Sequence, residues 1–268
     1  MLEKSGESLA GRVTYIEVKN FSLCEVRNID KLFFRGGFPR SYLAASKNLS
    51  FEWRKNYLIS FLERDLKLLG LDLPSQTIRR FMQMLCAYHG GIFNASEIGK
   101  SLGFSHTSAR KYLDVIISTF LIRQLRPWSE NISRRQVKLP KIYFCDTGIL
   151  FNFLSLKNKL DISRSPKIGQ FWEVFAMEES MKYFKMEQQD CYFWSIHQGP
   201  ELDLLWFNNG KKIGFEFKYS DSPKVTQSMI SSLAILKLSK LYVVYPGDKN
   251  LTLTKDIELV SISTFLGK

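Results

Sequence analysis

Nothing in this chain stays apolar for long. No run approaches the roughly 18–20 residues needed to cross a bilayer. The longest candidates, residues 115–122 and 148–156, are broken by Ser118 and Thr119 and by Asn152 and Ser155. The start, Met1-Leu2-Glu3-Lys4, has no apolar signal core, so a cytoplasmic protein without a membrane partner is expected. Cysteine is scarce and dispersed: Cys24, Cys86, Cys145 and Cys191 form no C-x-x-C pair. That argues against a zinc site or a disulfide framework and for reduced, half-buried thiols. Repeats and low-complexity tracts are missing too.

What is present is an ordinary globular composition with one bias. Of 268 residues, 45% are apolar and 24% charged, and 21 Phe and 11 Tyr can fill sizeable cores. The net charge of +12 favours polyanions and speeds their encounter, although some basic proteins only use charge to stay soluble. The chain divides into three segments: 1–70, a helical attachment; 71–150; and 165–268, with a polar linker over 151–166. The first segment offers a strand at Val13–Val18, a turn at Phe34–Pro39 and a helix from Phe51 to Leu69, with no core of its own.

In the second segment a helix carries Ile78, Phe81, Met82, Leu85 and Cys86 inward. Asn94, with Glu97 three residues on, is an N-cap signature; Gly103 stops that short helix and Ser105 caps the next. Ala109, Leu113, Ile116 and Phe120 are expected inward. Strands at Leu121–Leu125 and Lys141–Phe144 follow, joined by a basic loop. This pattern spells a winged helix-turn-helix. His106, Thr107, Arg110 and Lys111 would face a major groove, with Arg134 and Arg135 on phosphates. The competing reading is a packing module without a DNA role.

The third segment reads helix (Ile168–Phe184), three strands (Cys191–Ile196, Leu202–Phe207, Ile213–Tyr219), helix (Thr226–Leu236) and strand (Leu241–Tyr245). The fold class expected is therefore α/β, α+β overall, ending in a mixed sheet. Asn209-Gly210 is a strong hairpin signal. If Asn208 pairs with Lys211, Asp203 falls opposite Glu216 and Glu201 opposite Lys218. Leu202, Leu204, Trp206, Ile213, Phe215 and Phe217 then take the other face. Opposed carboxylates are mutually destabilising, so the pattern asks for a cation: Lys218 in part, and Mg²⁺ or Mn²⁺ for the rest. Glu173 shares a helical stripe with Met177 and leans toward the same place. Asp203, Glu216 and Glu173 are thus candidate metal ligands and, with Lys218, candidate catalytic residues for phosphodiester hydrolysis. A merely solvated charged face is the alternative.

Glu201-Leu202-Asp203 and Glu216-Phe217-Lys218, after a helix glutamate, resemble the two acidic motifs of the PD-(D/E)XK nuclease superfamily, which implies a restriction-endonuclease-like domain. Gly36-Gly37-Phe38-Pro39, Leu62-Glu63-Arg64-Asp65 and Cys145-Asp146-Thr147-Gly148 resemble the C-terminal region, of DUF4143 type, of a prokaryotic AAA-type ATPase family, and Ser8–Arg12 the end of its ATPase core. The likeness extends over nearly the whole chain, which would then be a truncated product, a fragment or half of a split protein with an ATPase partner chain. No G-x-x-x-x-G-K-[ST] loop is present, so ATP hydrolysis does not carry over. Two functions follow: a metal-dependent nuclease acting on nucleic acid, DNA first, or a non-catalytic DNA- or protein-binding regulatory module.

Overall fold

Asn209 and Gly210 bend the chain with φ of 48° and 76°, both left-handed as a tight hairpin turn requires. The computed structural model describes residues 12–14, 16–71, 73–133 and 135–267. Helices come first and strands mostly later, in an α+β arrangement around one mixed sheet. The helices are α1 (Leu23–Val26), α2 (Ile29–Arg35), α3 (Pro39–Tyr42), α4 (Lys47–Ser60), α5 (Leu66–Leu68), α6 (Ser75–Ala87), α7 (Ala95–Leu102), α8 (His106–Ile117), α9 (Thr147–Phe153), α10 (Lys159–Ser163), α11 (Ile168–Tyr183) and α12 (Gln227–Leu236). The strands are β1 (Ile122–Pro127), β2 (Lys141–Phe144), β3 (Cys191–Ser195), β4 (Glu201–Asn208), β5 (Lys211–Phe217), β6 (Lys240–Tyr245), β7 (Leu251–Thr252) and β8 (Ile257–Ser261). Their spatial order is β2-β1-β3-β4-β5-β6-β8-β7.

The hairpin register is the expected one. Asn208 pairs with Lys211, and the ladder continues antiparallel to Leu204 opposite Phe215. β5 then pairs parallel with β6, and β6 with β8. The connection from β5 to β6 runs through α12, the crossover that parallel neighbours need. Strand parity splits the core in two. Leu204, Phe215, Phe217 and Val244 join Phe175 and Met177 of α11 in one cluster. Leu205, Leu241 and Val243 join Met229 and Leu236 of α12 in the other. The two helices therefore cover opposite faces of the sheet.

β1 ties the halves together. It pairs antiparallel with β2 over Ile122–Leu125 and parallel with β3 at Arg126 and Pro127. Before it, Asn94 accepts from Ser96 and Glu97 N–H groups at 3.1 and 3.3 Å, Gly103 closes α7 at φ 76°, and Ser105 accepts from Ser108 N–H at 3.0 Å. Ile98, Ala109, Leu113 and Ile116 are buried as their helical spacing predicts.

Several expectations change. Phe120 is 68% exposed, not inward. The hydroxyls of Ser118 and Thr119 donate to the carbonyls of Val115 and Ile116 at 2.6 Å, α8 stops, and the helical phase no longer applies. Residues 13–14 and 16–18 form no strand, and Val13, Ile16 and Val18 are exposed. The 151–166 linker is half helical, taking in the end of α9 with the buried Phe151 and all of α10, which Asn158 caps by accepting from Asp161 N–H at 3.0 Å. The early helices share the main core through Leu32, Phe33, Leu58 and Leu62. The helix expected over Phe51–Leu69 passes through a π-helical turn, Phe61–Asp65. Strand β8 had no counterpart in the sequence reading. Ser8–Gly11 lie outside the described residues.

Candidate active site

The hairpin carries Asp203 and Glu216 to one place. Both are buried, at 8% and 4% exposure. The β4–β5 ladder ends one step before them, and there Asp203 Oδ2 accepts the Phe217 N–H at 2.9 Å, standing in for a ladder carbonyl. Across β4, the register with β3 shifts between Tyr192 opposite Leu205 and Trp194 opposite Leu202. Two residues, Asp203 and Leu204, therefore meet the single Phe193, a bulge that re-aims the aspartate. The bulge also sends Leu202 to the α12 cluster, not to the face of Leu204 as strict alternation predicts.

Lys218 bridges the pair, its Nζ 2.7 Å from Glu216 Oε2 and 4.0 Å from Asp203 Oδ2. The expected pairing of Glu201 with Lys218 does not form. Lys218 N–H donates to Val244 at 3.0 Å, so the end of β5 belongs to β6. Glu201 pairs with Ser195 across the β3–β4 ladder and forms an ion pair with Lys141. Glu173 is half-buried on α11 and accepts from the Tyr143 hydroxyl at 3.4 Å. Lys141 Nζ also lies 5.2 Å from the Phe193 ring centroid.

Lys141 and Tyr143 are the site residues that sequence reasoning missed. Both are buried, and both come from β2, far upstream of the acidic motifs. Their one visible signal is spacing: two apart on a strand, they share a face.

Charge in this basin is unbalanced, because four carboxylates (Glu173, Glu201, Asp203, Glu216) meet two ammonium groups. Burial first, then the charge of Asp203, pushes Glu216 up to about 8 against the pull of Lys218. Burial and then Asp203 also push Glu173 up to about 8, opposed by Lys141 and Lys218. Burial would lower Lys218, but Asp203 and Glu216 outweigh it and hold the ammonium above its ordinary range. Lys141 is raised in the same way, with Glu201, Glu173 and Asp203 overcoming its burial. Burial, then Glu173, holds the Tyr143 phenol protonated well beyond its ordinary range.

The donors are hard oxygens, the kind Mg²⁺ or Mn²⁺ takes. Asp203 and Glu216, joined by one lysine, fit a cation held by two carboxylates and otherwise by water and phosphate. Glu173 is engaged by Tyr143. Among the described residues no three His, Cys, Asp or Glu side chains form a ready-made cage.

The helix-pair residues lie elsewhere. His106, Thr107, Arg110 and Lys111 are all exposed on α8. Arg135 is exposed, but its carbonyl accepts from His197 N–H at 2.9 Å and Val137 N–H donates to Ser195 at 3.0 Å. The basic loop is thus laced along the end of β3, next to the turn leading into Glu201. Gln136 fastens it further, its Oε1 accepting from Trp194 Nε1 at 2.9 Å. Arg134 lies outside the described residues. Among those described, no helix is long and apolar enough to cross a membrane.

The segments 36–39 and 145–148 meet in a second place. Asp146 Oδ2 accepts from Gly37 N–H at 2.7 Å, and its Oδ1 caps α9 by accepting from Ile149 N–H at 2.9 Å. A Cβ on Gly36 would lie 2.0 Å from Asp146 Oδ1, and one on Gly148 would lie 2.3 Å from the Arg35 carbonyl. These glycines are required by close backbone approach, which makes this contact a clasp between the first helices and α9.

Comparison with known proteins divides the chain close to the start of α11. Residues 168–265 match a family described as Domain of unknown function (DUF4143), and residues 26–160 match one described as Domain of unknown function (DUF8612). The DUF4143 likeness expected along nearly the whole chain is thus confined to its last part. An uncharacterized protein of Mycobacterium bovis and another of Mycobacterium tuberculosis are each 39% identical to the chain over 264 residues. The match takes in 98% of this chain but 59% of either relative's length. No solved structure matches. The acidic basin spans both matched regions, with Lys141 and Tyr143 from the first and the carboxylates from the second. By the match over residues 26–160 the chain belongs to the DUF8612 family, and it carries a DUF4143 region behind it.

Proposed function

We propose that the protein is a metal-dependent phosphodiesterase acting on nucleic acid, DNA first, with Asp203, Glu216 and Lys218 at its centre. The observation that carries this reading is the buried Asp203–Glu216 pair sharing one half-exposed lysine at the end of a sheet, in a chain of net charge +12. Asp203 and Glu216 would hold Mg²⁺ or Mn²⁺, which when bound polarises a phosphate and makes its water more acidic. Lys218 orients the attacking water or neutralises charge growing on the phosphate oxygens. Asp203 is kept in place by Phe217 N–H, and Glu173 by Tyr143, so neither needs to reorganise during reaction. Glu173, with its raised pKa, holds a proton near neutrality that it can exchange with solvent.

In this reading the α11–α12 unit with its sheet is a restriction-endonuclease-like domain, and the α6–α8 unit with β1 and β2 a winged helix whose α8 meets DNA. The family resemblance makes an ATPase chain the partner to look for, in the cytoplasm. The test is incubation with plasmid, single-stranded DNA and RNA in Mg²⁺ or Mn²⁺. Cleavage by wild type that Asp203→Ala and Glu216→Ala abolish supports the proposal. Cleavage unchanged in those variants, or none by wild type, overturns it.

One observation favours a second reading, a non-catalytic nucleic-acid-binding module. Lys218 already occupies the space between the two acids as a counter-charge, and among the described residues no three His, Cys, Asp or Glu side chains converge. That reading predicts salt-sensitive binding without turnover.

A further inference from the structure

We propose that Tyr219, the residue after Lys218, is a stacking platform for an unpaired base, so that the site takes single-stranded nucleic acid. This rests on the reading of the acidic basin as a nucleic-acid site. Tyr219 leaves the end of β5 with 49% of its surface exposed. Its ring lies against Trp172 in a tilted contact, with centroids 5.8 Å apart and planes inclined at 44°. Trp172 is itself buried on α11 beside Glu173, and its indole Nε1 has no partner. It packs in turn on Phe33 and Phe175. An aromatic ring steadied by a buried aromatic and half-exposed to water is what a base needs to stack on. Such contacts accept any base, because each has a π-face.

The position decides the substrate class. The Tyr219 ring rests on Trp172, the chain neighbour of Glu173, so a phosphate neutralised by Lys218 has its own nucleotide, or the next one, within reach of the ring. In a duplex the bases are stacked on each other and their faces are closed. Only an unpaired nucleotide offers one. The unpartnered indole N–H of Trp172 is a donor available to a base or sugar oxygen if the ring shifts on binding.

The test is fluorescence anisotropy with labelled single-stranded DNA, single-stranded RNA and duplex DNA, in EDTA so that nothing is cut. Wild type is expected to favour single strands. Tyr219→Ala is expected to weaken single-strand binding about 5- to 150-fold and to leave duplex binding unchanged, while Tyr219→Trp restores it. A half-exposed side chain at a strand end is a mild substitution, and circular dichroism melts confirm that the variants fold. Equal affinities of Tyr219→Ala and wild type for single strands overturn the proposal, as does an equal loss on duplex. Binding without cleavage in Mn²⁺ would sink the phosphodiesterase reading alone, and cleavage of single strands undisturbed by Tyr219→Ala would sink this one alone.

Discussion

The raised carboxyls of the basin give the protein a pH dependence of unusual sign. Acids paired with cations or hydrogen-bonded to N–H groups are stabilised as anions and strengthen the fold as pH rises. Here Glu173 and Glu216 are pushed up to about 8 from an ordinary 4.5. Between those values the folded protein holds protons that the unfolded chain has released, so stability falls as pH climbs. The slope is about 1.4 kcal/mol per pH unit for each proton so held. For one proton between pH 5.5 and 7.5 the loss is about 3 kcal/mol, or roughly 5–10 °C in melting temperature. Glu216→Gln imitates the protonated acid at every pH and removes one proton from this balance. Its melting curve in EDTA is expected to be flatter than that of wild type, near it at pH 5.5 and above it at pH 8. Lys218, already half in water, tolerates the loss of that partner and keeps Asp203. Mn²⁺ should raise the wild-type melting temperature more at pH 8 than at pH 5.5, since the acids must shed protons to bind it. Differential scanning calorimetry across that range decides the matter. Parallel pH profiles for wild type and Glu216→Gln would refute the reasoning, because the charge of Glu216 would then cost the fold nothing.

Three other perturbations follow from the packing. Arg123 grips Glu178 through Nε at 2.5 Å and Nη2 at 3.0 Å, so Arg123→Met strands a buried carboxylate and should cost about 3–5 kcal/mol in urea unfolding; the double Met variant should recover most of it. Gly36→Ala drives a Cβ into the fixed Asp146 carboxylate at a φ of 72°, and it should destabilise by about 3 kcal/mol or more, read by thermal melting. If α8 docks on DNA, replacing Arg110 and Lys111 by Ala should flatten the log–log salt dependence of duplex binding by about 2, read by anisotropy at several salt concentrations.

What the sequence discloses about this site depends on how far apart its parts lie along the chain. The Asn209-Gly210 turn is local chemistry, so it specifies the hairpin register and, through parity, the approach of Asp203 to Glu216. The caps at Asn94 and Ser105 are legible for the same reason. Legibility stops where a distant partner intervenes. The bulge that re-aims Asp203 and moves Leu202 across the sheet is imposed by β3, and nothing within β4 announces it. Glu201 leaves Lys218 because β5 finds β6 beyond its ladder with β4, and because Lys141, 60 residues upstream, reaches it first. Tyr143 and Glu173 are 30 residues apart and lie in differently matched family regions. A motif search confined to the last hundred residues therefore finds the acids and Lys218 without Lys141 and Tyr143. The arrangement has a physical cost that explains it. Four carboxylates crowded into one basin, Asp203 and Glu216 of them buried, repel one another, and β5 supplies only Lys218 against them. The remaining charge must come from another strand, and β2 delivers it with Lys141 while Tyr143 fixes the helix glutamate. This makes the joint between the two regions part of the site's electrostatics, and it accounts for why β1 threads both halves into one sheet.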